Sequence, residues 1–404
     1  MKILVAHNGY QHRGGEDTAL EAETRLLAEQ GHSVVRYQRH NDELRDRHGF
    51  ASVRAGFETV WASRSYRQVK ALIAEKKPDV AHFHNTFPLI SPAVYYACAE
   101  ANVPVVQTLH NYRLLCPSAT LLRDGKVCEA CLGRSVAWPG VVHGCYRGSR
   151  AATAAVASML AVHRAMGTWR RKVDVYVALT EFARRKFVEG GLPAERVVVK
   201  PNFVASDPGA KRGRGEYALY VGRLSEEKGP HVLLKAWARL GGSVPLKIAG
   251  DGPLKKELGR EIGAKGLNGM ELLGQVGSEE IAGLLHGARF LVFPSVWYEG
   301  FPLTIVEAFA CGVPVIASRL GSMAEIVEDG KTGLHFTASD DAELAAKVEW
   351  AWAHAKEMEE MGRAARREFE GKYTSAANYR RLMEIYETAM AKPVSEAAEL
   401  MAAR

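Results

Sequence analysis

The apolar positions of this chain fall into two kinds of run that alternate along its length. Short runs bounded by turn residues, at Met1–Ala6, Ser33–Arg36, Asp79–Phe83, Val103–Thr108 and Val173–Leu179, predict buried strands. Between them apolar residues recur at helical spacing, as at Ala19, Ala22, Leu26 and Leu27 within Thr18–Gln30, a predicted helix that Gly31 ends. The theme repeats with strands over Tyr217–Val221, Leu246–Ala249, Met270–Leu273, Phe290–Phe293 and Val315–Ala317. Strands that alternate with helices predict α/β architecture, with parallel sheets covered by helices on both faces. Asn202–Gly215 contains SDPGAKRGRG, with little to bury, and reads as a linker. A long helical pattern runs from Asp341 to about Met390, followed by an Ala/Glu-rich tail. The expected organisation is two doubly wound, Rossmann-like domains, residues 1–203 and 204–375, facing each other across a cleft where the strand ends meet ligands.

Composition narrows the class. The 404 residues are 47% hydrophobic and 25% charged, which excludes disordered, fibrous and collagen-like chains. Runs such as Phe290–Pro294 and Ala151–Val162 are too short or too rich in Ala and Ser to span a bilayer. The start, MKILVAHNGY, lacks the apolar stretch and cleavage site of a signal peptide, so a soluble, cytoplasmic protein is expected. The charge is uneven. Residues 1–200 carry 28 basic and 18 acidic side chains, whereas residues 201–404 carry 25 and 28. A basic half suggests an anionic partner: nucleic acid, lipid or a phosphate-bearing substrate.

The densest chemical signal is Phe293–Ser318, FPSVWYEGFPLTIVEAFACGVPVIAS. A strand ends at Pro294, a loop carries Glu299, and a helix starts near Thr304 with Glu307 in its first turns. Backbone N–H groups around Gly300–Thr304 then point out of a helix N-terminus, an anion site. A carboxylate beside such a site can accept two hydrogen bonds from sugar hydroxyls. In YVGRLSEEKG, Arg223 and Lys228 follow a strand end and together suit a diphosphate. In IAGDGP, Gly250 and Gly252 permit close backbone approach.

These pieces, in this order, resemble retaining glycosyltransferases of family 4, whose signature is E-x7-E and whose fold is GT-B. The resemblance covers roughly residues 1–115 and 173–390. It implies a sugar, hexose in type, transferred from a UDP-, GDP- or ADP-sugar to an acceptor hydroxyl, in surface polysaccharide or lipid-linked glycan synthesis. It implies that Arg223 and Lys228 hold the diphosphate, Glu307 the ribose, and Glu299 the donor sugar. Gly300, Phe301, Pro302 and Leu303 would help to place sugar and phosphate. Gly14 and Gly15 would approach the donor phosphates, and His110 would face the donor sugar. His84-Asn85 could line the acceptor side, although strand-end polar residues explain them as well. The helix of residues 376–404 is expected to cross back onto the first domain. Where the family often reads Pro-Asn-Gly-Val-Asp, this chain has Pro201-Asn202-Phe203-Val204-Ala205 and lacks the acid. No metal is needed for this chemistry.

One segment departs from the resemblance. Cys116, Cys128, Cys131 and Cys145 form C-x11-C-x2-C-x13-C within a loop-like stretch, residues 116–145. The C-x2-C half-site and four thiolates suit a structural zinc, with His143 as a substitute ligand; an iron–sulfur cluster, disulfide pairing and free thiols are the alternatives. Trp61, Tyr66, Arg64, Arg67 and Lys70, and later MGTWRRK, give the composition of a peripheral membrane contact as well as of an exposed basic helix. The partners expected are a nucleotide-sugar donor and a glycan or lipid-phosphate acceptor, with no nucleic acid. The rival readings are a zinc-containing nucleic-acid-binding protein and a catalytically silent GT-B scaffold.

Overall fold

The computed structural model describes residues 1–11, 14–44 and 56–391; the Ala/Glu-rich tail beyond Ala391 lies outside them. The chain divides into two compact units. The first comprises Met1–Leu121, Cys128–Pro201 and the residues from Asn378; the second comprises Leu122–Val127 and Asn202–Ala377.

The sheet of the first unit is built from β1 (Lys2–Gly9), β2 (Ser33–His40), β3 (Val80–Asn85), β4 (Val105–Leu109), β7 (Val175–Ala178) and β8 (Val197–Val199). A two-stranded hairpin, β5 (Leu122–Arg123) and β6 (Lys126–Val127), comes between β4 and β7 in the chain. The strand order is β2-β1-β3-β4-β7-β8, and every pairing is parallel. One face packs Ile3, Val5, Val80, Val106, Val175 and Val177 against Leu382, Ile385, Tyr386 and Ala389 of the helix Ser375–Ala391. The order reverses at β1 and β3, and such a switch point opens a crevice at the strand C-termini.

The second unit repeats the plan with β9 (Tyr217–Val221), β10 (Leu246–Ala249), β11 (Met270–Gly274), β12 (Ala288–Phe293), β13 (Val315–Ser318) and β14 (Gly333–Phe336). The order is β11-β10-β9-β12-β13-β14, also parallel, with its switch point between β9 and β12. Alternate residues of each strand feed two cores. Tyr220, Ile248, Phe290 and Ile316 face one helical layer, and Leu219, Val221, Leu291 and Val315 face the other.

Three expectations change. Strand β1 runs on to Gly9, because the polar His7 and Asn8 are buried with partners inside the unit. The Asn8 amide donates to Asn41 Oδ1 at 2.8 Å, and its oxygen accepts from the Leu89 N–H at 3.1 Å. The stretch 202–215 is tied to the second unit instead of hanging free. Asp207 takes a two-pronged bond from Arg366 at 2.6 Å, and Lys211 donates to the Ala288 carbonyl at 2.6 Å. The long C-terminal pattern is three helices, Asp341–Ala353, Ala355–Lys372 and Ser375–Ala391.

Glycine fixes the loops at the second switch point. A Cβ on Gly250 would lie 1.9 Å from the Gly222 carbonyl oxygen, and one on Gly252 would lie 2.5 Å from that of Leu224. The β10 turn is thereby pressed onto the β9 turn, and N–H groups of Gly222 and Leu224 donate back to Ala249 and Asp251. Gly250→Ala is therefore expected to lose about 2–3 kcal/mol of stability. Gly263→Ala, in an exposed helical position with no atom within 4 Å of its Cβ, is expected to gain up to about 1 kcal/mol. Urea unfolding of the two variants checks both signs.

Candidate active site

The loops after β9 and β12 flank the switch point of the second sheet, and they meet through backbone before any side chain does. Gly229 has φ of 70°, and a Cβ there would fall 2.0 Å from the Pro294 carbonyl oxygen. The Val296 N–H donates to the Glu227 carbonyl at 3.0 Å. This approach brings Lys228 to Glu299. The ammonium donates to both carboxylate oxygens, at 2.8 and 2.9 Å. Glu299 is 4% exposed, and Ser295 donates to its Oε1 at 2.6 Å. Lys228 also lies over the rings of Trp297 and Phe293, at 5.6 and 5.7 Å.

The loop Glu299–Pro302 is held from behind. Ser322, buried in the helix Gly321–Ile326, donates to the Glu299 and Gly300 carbonyls. The helix Leu303–Ala310 begins directly after Pro302 with no side-chain cap, so its first N–H groups stay open at this end. Phe301 packs beside Tyr373. Glu307 is half-buried, and burial pushes its carboxyl above the ordinary range. Arg223 is exposed on the β9 turn, where its carbonyl accepts from Tyr220. Thus Lys228 and Glu299 are in direct contact, and Gly300–Leu303 continue from Glu299 into the helix. Gly250 and Gly252 support the turn that carries Arg223.

In the first unit the polar groups gather at the ends of β1, β3 and β4. Gly14 is the N-cap of the helix Gly15–Glu29, and its N–H donates to Asp17 at 2.9 Å. The space around a Gly14 Cβ is open, so close packing within the unit does not require glycine there. His110 pairs through Nε2 with His84 Nδ1 at 2.9 Å, and the rings stack. His82 and His84 are thus parts of a buried network.

Sequence reasoning passed over Glu16. Its carboxyl is pushed up to about 8 by burial and then by Asp17, against hydrogen bonds from Asn111 and Tyr10. Its Oε1, buried and without a hydrogen bond, lies 3.9 Å from the equally unpartnered His7 Nδ1. His7 Nε2 meets Asp17 at 2.9 Å. His7 and Asp17 border a cavity of about 490 Å³ that Tyr10, Arg39, His40 and Glu43 also help to line. The only sequence signal for Glu16 was its place after Gly14-Gly15.

The four cysteines of the insert are not joined to one another by disulfides. Burial pushes the Cys131 thiol up to about 11; the Gly140 N–H opposes this, and nearby Cys116, Cys145 and Cys128 add to it. The four sulfurs sit near one another without closing into a compact ligand set. Among the described residues, the groups whose ligand atoms lie within 4.8 Å of one another are Glu23, His82, His84 and His231, Glu257, Glu261. In the two basic stretches, Trp169 is buried and Trp61 stacks on His163, so these rings face protein. No helix of the described residues is long and apolar enough to cross a membrane.

Known proteins carry the same plan. Residues 13–207 match the family described as Glycosyltransferase Family 4, and residues 205–368 match Glycosyl transferases group 1. A glycogen synthase of Mycobacterium tuberculosis is 31% identical over 333 residues, 79% of this chain and 69% of that protein. The chain belongs to glycosyltransferase family 4. A D-rhamnosyltransferase of Pseudomonas aeruginosa is 34% identical over 39% of this chain. That match spans 42% of the relative's own length, less than half of it. Among solved structures, Anabaena HepE in complex with UDP has a TM-score of 0.69 at 19% identity, covering 96% of this chain and all of that one. A sucrose-phosphate synthase of Thermosynechococcus elongatus has a TM-score of 0.70 at 17% identity, covering 97% of this chain and 100% of that one. These likenesses establish the GT-B fold of two Rossmann-like α/β units for this family member.

The raised Glu16 carboxyl has a pH signature. Between its ordinary value of 4.5 and about 8, the unfolded chain has lost this proton while the folded chain keeps it. Stability contributed by this group therefore falls as pH rises through that window and levels off above it. Glu16→Gln is expected to flatten the decline in melting temperature between pH 5 and 8 relative to the unaltered protein, measured by calorimetry; an identical decline contradicts the assignment.

Proposed function

We propose that this protein is a retaining glycosyltransferase that moves a hexose-type sugar from a nucleoside-diphosphate sugar to an acceptor hydroxyl. The observation that carries the reading is the Lys228–Glu299 pair at the second switch point, beside an uncapped helix N-terminus, in a chain of this family. In this reading Lys228 and Arg223 hold the donor diphosphate, Glu299 accepts from donor sugar hydroxyls, and Glu307 takes the ribose. The family resemblance also assigns donor contacts to Gly14, Gly15 and His110. Two of the solved neighbours were determined with UDP-glucose or with UDP and glucose, which supports a nucleotide-sugar donor.

The acceptor oxygen attacks the anomeric carbon on the face that the diphosphate leaves. The C–O bond to phosphate breaks as the new C–O bond forms, and a departing phosphate oxygen takes the acceptor proton. No side chain then has to be a strong base. Orientation and charge stabilisation of the leaving group supply the acceleration. Relatives named for O-antigen and colanic acid synthesis support a role in surface polysaccharide or lipid-linked glycan assembly, on the cytoplasmic side. The exposed cations Arg64, Arg67, Arg170 and Arg171 offer a surface for a lipid-phosphate acceptor or anionic headgroups without aromatic insertion.

Hydrolysis of UDP-, GDP- and ADP-sugars in the absence of acceptor tests this directly. One donor is expected to be cleaved, with the sugar released in the donor's anomeric configuration when first observed by NMR. Glu299→Gln is expected to lower that rate at least about 100-fold. Cleavage of none of them, or release with inverted configuration, overturns the reading.

We also propose that Cys116, Cys128, Cys131 and Cys145 close on a structural zinc. An all-sulfur set suits that metal, and Cys131 and Ala137 of the 30-residue segment form only a small buried cluster, completed by Ala157 beyond it. Metal analysis of the purified protein is expected to give about one zinc per chain, lost in Cys128→Ser/Cys131→Ser. A metal-free protein with an unchanged melting temperature in chelator contradicts it.

A further inference from the structure

Beneath the end of β3 lies a buried chain of ionisable groups that leads to His110. Lys200, 1% exposed, donates to Glu23 Oε2 at 2.8 Å across 177 residues of sequence. Glu23, 5% exposed, turns its other oxygen toward His82 Nδ1 and His84 Nε2, each 3.4 Å away. His84 Nδ1 meets His110 Nε2 at 2.9 Å. His82 is occupied elsewhere, by the Tyr386 hydroxyl and by Thr108, both at 2.8 Å. The order Lys200, Glu23, His84, His110 therefore runs from the core to a half-buried histidine at the end of β4.

One assignment of protons turns a hydrogen toward Glu23 Oε1, which accepts no other hydrogen bond. A carboxylate accepts only, so the His84 nitrogen facing it carries hydrogen. A neutral imidazole has one N–H, which leaves His84 Nδ1 bare. His110 Nε2 must then donate, and His110 Nδ1 is left with its lone pair. The opposite assignment would set a bare His84 Nε2 against the negative Glu23.

The surrounding charges agree. Burial opposes ionisation of Glu23, yet Lys200, the His84 contact and His82 hold its carboxyl well below the usual range. Burial and then His84 hold His110 neutral well below pH 6.5, with His7 and Lys200 acting in the same sense and Glu23 against them. Glu23, His82 and His84 lie close enough to resemble a metal site. The Lys200 ammonium already supplies the positive charge there, and a divalent ion beside it would be repelled.

We propose that Glu23, anchored by Lys200, is a positioning residue that fixes His84 and His110 as successive Nε2–H imidazoles, so that His110 presents Nδ1 to the site as a hydrogen-bond acceptor. Resting on the glycosyl-transfer reading, the group it accepts from is a hydroxyl of the donor sugar. A donor N–H at that position would make the same hydroxyl accept, so the tautomer sets the direction of the hydrogen bond that His110 makes.

The test begins with the full-length protein labelled with ¹⁵N at histidine. Long-range proton–nitrogen spectra at pH 7, assigned with single His→Gln changes, are expected to show His84 and His110 both neutral and protonated at Nε2. A His110 protonated at Nδ1, or an imidazolium, overturns the proposal, and this readout needs no variant of the pair and no activity. Glu23→Gln/Lys200→Met removes both charges together and so avoids a lone buried ion. That variant is expected to show mixed tautomers at His110. Its donor hydrolysis is expected to fall on the order of tenfold in kcat with donor KM within about twofold. Unchanged tautomers in the double variant contradict the role of Glu23. If the unaltered protein cleaves no nucleotide sugar, glycosyl transfer fails as a reading while the spectra still decide the proton assignment.

Discussion

The second unit is organised around one ion pair, Lys228 with Glu299. A carboxylate that is 4% exposed needs a cation and further donors, and here Lys228 and Ser295 supply them. The contact depends on backbone that only glycine allows. Gly229 rests on Pro294, and Gly250 and Gly252 rest on the β9 turn, so the loops after three strands are locked at the switch point. Removing one partner of such a pair would leave the other uncompensated, at a cost of about 3–5 kcal/mol. In the proposed function the donor takes over both halves: its diphosphate replaces Glu299 as the partner of Lys228, and its sugar hydroxyls replace Lys228 as donors to Glu299. The pair thus keeps both charges neutralised and ready to exchange.

The first unit solves the same electrostatic problem at its own switch point with Lys200 and Glu23. That pair is more deeply buried, and it faces histidines instead of an open loop. Its consequence is proton placement, which passes along His84 to His110. The helix that closes this unit contributes Tyr386 to the network through His82, so the last described helix helps to order polar groups as well as covering an apolar face.

Much of this was legible in the sequence, for reasons that particular residues make clear. Buried parallel strands are short apolar runs, so β9, β10 and β12 were readable almost to the residue. Lys228 and Glu299 were readable because each stands in a dense local motif. Lys200 and Glu23 were not: each is an ordinary charged residue until the fold brings them together from 177 positions apart. Strand order is not written in any one segment, so the switch points that explain why these loops converge became visible only with the sheets. The stretch 202–215 looked unattached because its partners, Ala288, Cys311 and Arg366, lie far along the chain. Strand β1 looked shorter than it is because His7 and Asn8 are polar residues whose burial depends on distant partners.

In the proposed donor complex the Lys228–Glu299 pair divides itself between the diphosphate and the sugar of one donor. Calorimetric titration with the free nucleoside diphosphate and with the intact nucleotide sugar measures this division. Lys228→Met is expected to weaken both ligands by at least about tenfold, whereas Glu299→Gln is expected to weaken only the nucleotide sugar and to leave the diphosphate within about twofold. Equal weakening of both ligands by Glu299→Gln, or diphosphate binding unaffected by Lys228→Met, would contradict it.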